Sequence, residues 1–268
     1  MSAPDIVSNI APLHIDSSGQ GEDVVLLHGW GMHGAYWQGL IDSLKDQYRL
    51  HSIDLPGHGK SDYANESLLD DFVDRIASSI DLLTDKPFHL IGWSLGGLIG
   101  QQLCLRQPER INKCVLIASS PCFVQQPDWT HAMAKDVLNG FAENLSQDYK
   151  ATLVRFLALQ VWGSDDQKQA LRDLKQKLFN HGEPDARALS MGLSLLQNVD
   201  LRDAVQQMQQ DVLLIGGERD TLVPSAGLLD FGQALNASQV KIIKGAGHAP
   251  FISHTEQVSD LIRMYLQA

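Results

Sequence analysis

The chain has 268 residues, 44% hydrophobic and 20% charged, which is ordinary globular composition with ample length for one large core. A formal net charge of −11 argues against nonspecific binding to nucleic acid, although an acidic chain can still carry a local basic face. Three scattered cysteines, Cys104, Cys114 and Cys122, lack metal-ligand spacing and read as reduced thiols of a cytoplasmic protein.

In chain order, Met1-Ser2-Ala3-Pro4-Asp5 carries no basic and apolar leader, and no apolar run reaches membrane-spanning length. His14-Ile15-Asp16 is a weak early strand. Val24-Val25-Leu26-Leu27 is continuously apolar, as a strand buried on both faces should be, and runs into the loop His28-Gly29-Trp30-Gly31. Tyr36 to Asp46 has helical spacing, and Tyr48–Ile53 is the next strand. It ends in the turn-rich loop Asp54-Leu55-Pro56-Gly57-His58-Gly59-Lys60-Ser61. Leu68 to Leu83 is an amphipathic helix, with Leu69, Phe72, Val73, Ile76 and Ile80 on one face. Phe88-His89-Leu90-Ile91 is a strand, Gly97 to Cys104 is helical, and Cys114–Ala118 is another buried strand. From about Pro121 to Gln197 the α/β rhythm stops. Val137–Leu145, Tyr149–Trp162, Gln167–Phe179 and Pro184–Leu196 read as helices. The rhythm then resumes with strand Val212–Ile215, helix Ser225–Leu235, strand Val240–Ile243 and a closing helix Gln257–Leu266. Alternating short apolar strands and helices predict a mostly parallel sheet flanked by helices. The simplest organisation is an α/β core, residues 1–121 and 198–268, interrupted by an all-helical cap at 122–197. Such an insertion would lie over the C-terminal edge of the sheet, where ligands bind.

Between the strand Phe88–Ile91 and the helix that follows lies Gly92-Trp93-Ser94-Leu95-Gly96, a G-x-S-x-G turn. A serine on a sharp strand-to-helix turn is thrust out at the sheet edge, and the flanking glycines permit the tight backbone approach. Serine is a poor nucleophile near neutral pH and needs a histidine base held by a carboxylate. Later strands end in such groups: Val212–Ile215 leads to Asp220, and Val240–Ile243 leads to His248. Asp211 precedes its strand and so lies at the wrong end of the sheet. Glu218 falls short of the loop position, and His254 lies nearer the last helix. The order Ser94, Asp220, His248 is that of a hydrolase triad. The N–H of Leu95 and the N–H of Trp30 are the expected oxyanion donors, and the indole of Trp30 is expected to wall an acyl pocket. His28 is expected to brace its loop by hydrogen bonding.

The loop His28–Gly31, the loop Asp54–Ser61 and the triad loops resemble the α/β-hydrolase superfamily across nearly the whole chain. Ala118-Ser119-Ser120-Pro121-Cys122-Phe123, Arg155-Phe156-Leu157-Ala158-Leu159-Gln160 and His248-Ala249-Pro250-Phe251-Ile252-Ser253-His254 resemble more narrowly the family of pimeloyl-acyl-carrier protein methyl ester esterases (BioH) of biotin synthesis. That resemblance implies hydrolysis of the methyl ester on a carrier-bound pimeloyl chain. It places substrate contacts at Trp30, Ser94, Leu95, Phe156, Leu157, Ala158, Leu159, Gln160 and His248. It also implies that basic cap residues grip the acidic carrier protein: Arg155 and Arg172 match, Lys168 keeps the charge, and Lys150 adjoins Ala151, where that family has a further basic residue. The cap gathers Lys150, Arg155, Lys168, Arg172, Lys175 and Lys177 in an otherwise acidic chain, which would speed encounter with an acidic partner. No metal site, phosphate loop or dinucleotide fingerprint is visible, and triad hydrolysis needs neither metal nor cofactor. Neither nucleic acid nor membrane is an expected partner, and a monomer is expected. The competing readings are a general short-chain carboxylesterase, a C–C bond hydrolase, and a noncatalytic binding module on the same fold.

Overall fold

The apolar runs of the sequence become a seven-stranded sheet in the computed structural model, which describes residues 11–160, 167–178, 180–235 and 238–268. Strands β1 (Ile15–Gly19), β2 (Glu22–Leu27), β3 (Tyr48–Ile53), β4 (Phe88–Trp93), β5 (Ile111–Ile117), β6 (Asp211–Gly217) and β7 (Ser238–Ile243) lie in the order β1-β3-β2-β4-β5-β6-β7. Only β1 runs antiparallel, pairing with β3 from Ile15 opposite Ile53 to Gly19 opposite Arg49. The parallel strands β2, β4, β5 and β6 are almost wholly buried because helices cover both faces, which is why their sequences are continuous apolar runs instead of alternating ones.

Helices α1 (Gln38–Leu44), α2 (Leu69–Asp81) and α3 (Leu95–Arg106) alternate with the early strands. The α2 face read from the sequence is the buried one, and the Asp71 carboxylate accepts the N–H groups of Ser67 and Leu68 at its start. Residues Pro121 to Gln197 form no extended strand among the described residues, only isolated bridges such as Val124 with Met133. This stretch holds α4 (Lys135–Gln147), α5 (Tyr149–Gln160), α6 (Gln167–Leu178) and α7 (Ala186–Asn198). Trp162 and Phe179, expected to end two of these helices, lie outside the described residues, as do the first ten residues of the chain. Helix α8 (Ser225–Ala234) separates β6 from β7. A short α9 (Pro250–Ser253) precedes α10 (Thr255–Gln267), so the closing helical region begins earlier than its periodicity suggests.

The inserted helices are tied to the core by named contacts. The Trp30 indole N–H donates to the Leu189 carbonyl at 2.8 Å, and the Tyr36 hydroxyl donates to the Leu174 carbonyl at 2.9 Å. The Ala249 N–H donates to the Gln160 carbonyl at 3.1 Å, and the Asp185 N–H to the Gly57 carbonyl at 2.8 Å. No helix among the described residues is long and apolar enough to cross a membrane.

Behind the C-terminal edge of the sheet stands an aromatic cluster. Trp37 stacks on Phe251 with ring centroids 4.4 Å apart, and Phe251 meets Trp93 edge-on at 5.0 Å. All three rings are fully buried and link the turn that leads into α1 with α9 and β4. Truncating Trp37 to alanine is expected to lower stability by about 3–5 kcal/mol, the range for an aromatic removed from a closed core. Denaturant unfolding measures this, and a loss under about 1 kcal/mol would show that the cluster is not structural.

Candidate active site

Ser94 sits between β4 and α3 with φ 54° and ψ −116°, a backbone conformation in which an L-residue is strained. The turn is held open by residues without side chains. A Cβ on Gly92 would stand 2.6 Å from the Gly97 Cα, and one on Gly96 would collide with the Leu27 carbonyl oxygen. The Ser94 N–H donates to the Ile117 carbonyl at 3.0 Å, and the Ser119 hydroxyl donates to the Ser94 carbonyl at 2.9 Å. The serine is thereby fixed at both its amide and its carbonyl.

The ends of β6 and β7 bring the other two groups to it. His248 Nε2 lies 2.9 Å from Ser94 Oγ, and His248 Nδ1 lies 2.8 Å from Asp220 Oδ2. The other Asp220 oxygen accepts the N–H groups of Leu222 at 2.8 Å and Val223 at 3.0 Å, so the carboxylate has one orientation. With Asp220 accepting, Nδ1 carries the proton and Nε2 faces the serine as a base. All three side chains are buried. The Trp93 indole N–H donates to the His248 carbonyl at 2.9 Å, which fastens the histidine loop to the nucleophile's own strand. Of the rival residues, Glu218 accepts the Gly245 N–H at 2.9 Å, and Asp211 begins β6 at the opposite edge. His254 lies at the start of α10.

The loop after β2 approaches the serine closely, since a Cβ on Gly29 would lie 3.3 Å from the Ser94 Cβ. Among the described residues neither the Trp30 nor the Leu95 backbone N–H has a protein acceptor. Two imidazoles brace this loop. The Leu55 N–H donates to His28 Nε2 at 2.9 Å while His28 Nδ1 reaches the Gly29 carbonyl at 2.8 Å. The Gly31 N–H donates to His58 Nε2 at 3.2 Å while His58 Nδ1 reaches the Pro56 carbonyl at 3.0 Å. The bracing role of His28 was legible in the sequence, whereas that of His58 was not.

Above Ser94 and His248 lies a narrow, nearly closed apolar cleft. Phe156 from α5 lines it, together with Leu138 and Phe141 from α4 and Leu193 and Leu196 from α7. Phe123, Met133 and Leu222 complete the wall. Apart from Phe156, these residues carry no signal in the sequence as substrate contacts, because an apolar side chain on a helix looks the same whether it meets a core or a cavity. The segment from Phe156 to Gln160 divides accordingly. Phe156 faces the cavity, Leu157 is fully buried in the core, and Ala158 and Leu159 are partly exposed. Gln160 is buried, and its carbonyl holds Ala249, the residue after His248. The Trp30 indole stands one layer behind the cavity wall, its ring meeting Phe156 edge-on at 5.0 Å, because its N–H is committed to α7.

On the outer surface of α5 and α6, Arg155, Lys168 and Arg172 are exposed. Lys150 is paired with Glu183 at 2.6 Å, so part of its charge is already matched within the chain.

A family model described as alpha/beta hydrolase fold matches residues 24–255. A pimeloyl-acyl-carrier protein methyl ester esterase of Aeromonas salmonicida is 41% identical over 252 residues, covering 94% of this chain and 98% of that protein. The Nitrosomonas europaea protein of the same name is 42% identical over 248 residues, covering 92% and 97%. Among solved structures, an esterase from Exiguobacterium antarcticum superimposes with a TM-score of 0.88 at 22% identity over 96% of both chains, a likeness of fold.

The braces also set an acid limit. Burial, then the neighbouring His58, holds the His28 imidazole well below its ordinary value, and burial lowers His58 too. The folded chain therefore refuses protons that the unfolded chain accepts near pH 6.5. Their contribution to stability is complete above about pH 6.5 and declines below it, by up to about 1.4 kcal/mol per pH unit per group. Denaturation midpoints measured from pH 8 to pH 5 should be level and then fall; a level profile throughout would mean that these imidazoles are not held neutral.

Proposed function

The chain belongs to the alpha/beta hydrolase family and, within it, to the family of pimeloyl-acyl-carrier protein methyl ester esterases, and from that membership we propose that Ser94, His248 and Asp220 hydrolyse the methyl ester of a carrier-bound pimeloyl chain. The observation that carries this reading is the unbroken hydrogen-bonded line from Ser94 Oγ through His248 to Asp220.

In the proposed reaction His248 Nε2 takes the Ser94 proton as Oγ attacks the ester carbonyl. The oxyanion is received by the N–H groups of Leu95 and Trp30, each worth about 3 kcal/mol of transition-state stabilisation. The α3 N-terminus adds its dipole to the same point. His248 then donates that proton to the departing methoxide, and methanol leaves. Water, deprotonated by His248, attacks the acyl-enzyme; the bond to Ser94 Oγ breaks, His248 returns the proton to Oγ, and the free acid leaves. Asp220 accepts the Nδ1–H and stabilises the imidazolium each time it forms.

The lining of the cleft suits this substrate in kind, and the cap helices must part for the chain to enter. The apolar wall favours the methylenes of an acyl chain, at about 0.8 kcal/mol for each one buried. The same wall disfavours the free carboxylate, which carries charge the ester lacks, and so promotes product release. The helical segment 122–197 acts in this scheme as a cap over the site, above the core of residues 1–121 and 198–268. Arg155, Arg172 and Lys168 on α5 and α6 are its docking face for an acidic carrier protein in the cytoplasm, with Lys150 at the margin because Glu183 already engages it.

Ser94→Ala and Asp220→Asn should each lower kcat by about 10⁴-fold or more with the melting temperature little changed. Ser94→Ala turnover near the parent rate would remove the nucleophile from this scheme. A second experiment addresses the carrier. Arg155→Glu with Arg172→Glu should raise KM for the carrier-bound methyl ester about tenfold and weaken its salt dependence. Hydrolysis of a small aryl ester should be unaffected. Equal KM values for parent and variant on the carrier-bound ester would place docking elsewhere.

A further inference from the structure

Four donors from four separate segments meet where the α6–α7 connection touches the sheet edge. His14 precedes β1, Asp16 lies on β1, Asp54 follows β3, and His181 belongs to the connection. One ligand atom from each of His14, Asp54 and His181 lies within 4.8 Å of the others. Asp16 Oδ2 joins them at 3.1 Å from His14 Nε2 and 3.7 Å from His181 Nε2. In a tetrahedral zinc site with bonds near 2.0 Å, adjacent donor atoms stand about 3.3 Å apart. The bound on the first three exceeds that spacing by about 1.5 Å, so the donors surround one cation once the partly exposed imidazoles and Asp16 close in.

Two further observations point the same way. His14 Nε2 and His181 Nε2 are shielded from water, and both face a single carboxylate oxygen, Asp16 Oδ2. One oxygen shared between two imidazoles leaves each under-satisfied, and a cation among them engages all three at once. The Asp54 carboxylate is already oriented, because its two oxygens accept the N–H groups of Gly34 at 2.7 Å and Lys60 at 2.9 Å. Built metal sites orient their ligands in this way, and each oxygen keeps a lone pair free.

We propose that His14, Asp16, Asp54 and His181 bind one zinc-class divalent cation, which clips the α6–α7 connection to the core. Two imidazoles and two carboxylates suit Zn²⁺ and its neighbours; Ca²⁺ and Mg²⁺ prefer oxygen ligands alone. The Lys60 charge reaches Asp16 and opposes the cation, which keeps the affinity moderate. None of the four residues lines the Ser94 cavity, so the clip is structural and independent of the proposed ester hydrolysis. It works beside contacts already present there, the Asp185 N–H on the Gly57 carbonyl and the close approach of Gly182 to Gly59.

The test is calorimetric titration of the chelator-stripped full chain with Zn²⁺, paired with Co²⁺ absorption and thermal melting. One cation per chain is expected, with the intense visible bands of tetrahedral Co²⁺ and a melting temperature raised by Zn²⁺. His14→Ala, His181→Ala and Asp16→Asn should each weaken binding about tenfold or more, and the double histidine variant should abolish it. Aryl-ester hydrolysis by the stripped variants, unchanged from the parent, reports that they fold. Absence of saturable binding to the parent would overturn the proposal and leave an imidazole–carboxylate pair. Saturable binding that survives in the double variant would overturn it equally, since the cation would then sit on other groups.

Discussion

The structure turns on the backbone of Ser94. A residue with a side chain held at φ 54° is unfavourable, and it persists only where its surroundings over-determine it. Here they do. Gly92, Gly96 and Gly97 let α3 press against β2 and β4, and Ile117 and Ser119 bind the serine's amide and carbonyl from β5 and the turn beyond it. The strain aims Oγ away from the sheet and places the first N–H groups of α3 beneath it. A relaxed turn would turn the hydroxyl back into the core.

Everything the serine needs arrives from elements that close on the same sheet edge. Because β6 and β7 are parallel to β4, their C-terminal ends lie at the same level, and Asp220 and His248 follow from strand direction alone. The finer placement is made by neutral groups. Trp93 binds the His248 carbonyl, Gln160 binds the residue after it, and His28 and His58 fix the loop that carries Trp30. Each brace works only while its imidazole stays uncharged, so the geometry of the site and its acid sensitivity share one cause.

The inserted helices show where a one-dimensional reading stops. Their existence and order were legible, since helical periodicity needs only neighbours in the chain. The division of their apolar residues between core and cavity was not. Phe156 and Leu157 are adjacent and equally apolar, yet one meets Ser94 and His248 across a void while the other is packed on all sides. Trp30 likewise reads as a pocket wall, but its indole N–H had to find an acceptor when buried, and the acceptor was on α7. The donors around Asp16 carry no spacing signature at all, because His14, Asp54 and His181 are joined only by the fold.

The sequence by itself determined the parallel sheet, the strained serine turn, and the order in which base and carboxylate arrive, because strand and turn signals are local and chain direction does the rest. Only the tertiary structure decided that His58 joins His28 as a brace, which residues of the inserted helices line the cleft above Ser94, and which charges are already paired, as Lys150 is with Glu183. Those properties depend on what lies opposite a side chain across space, and no periodicity along the chain records it.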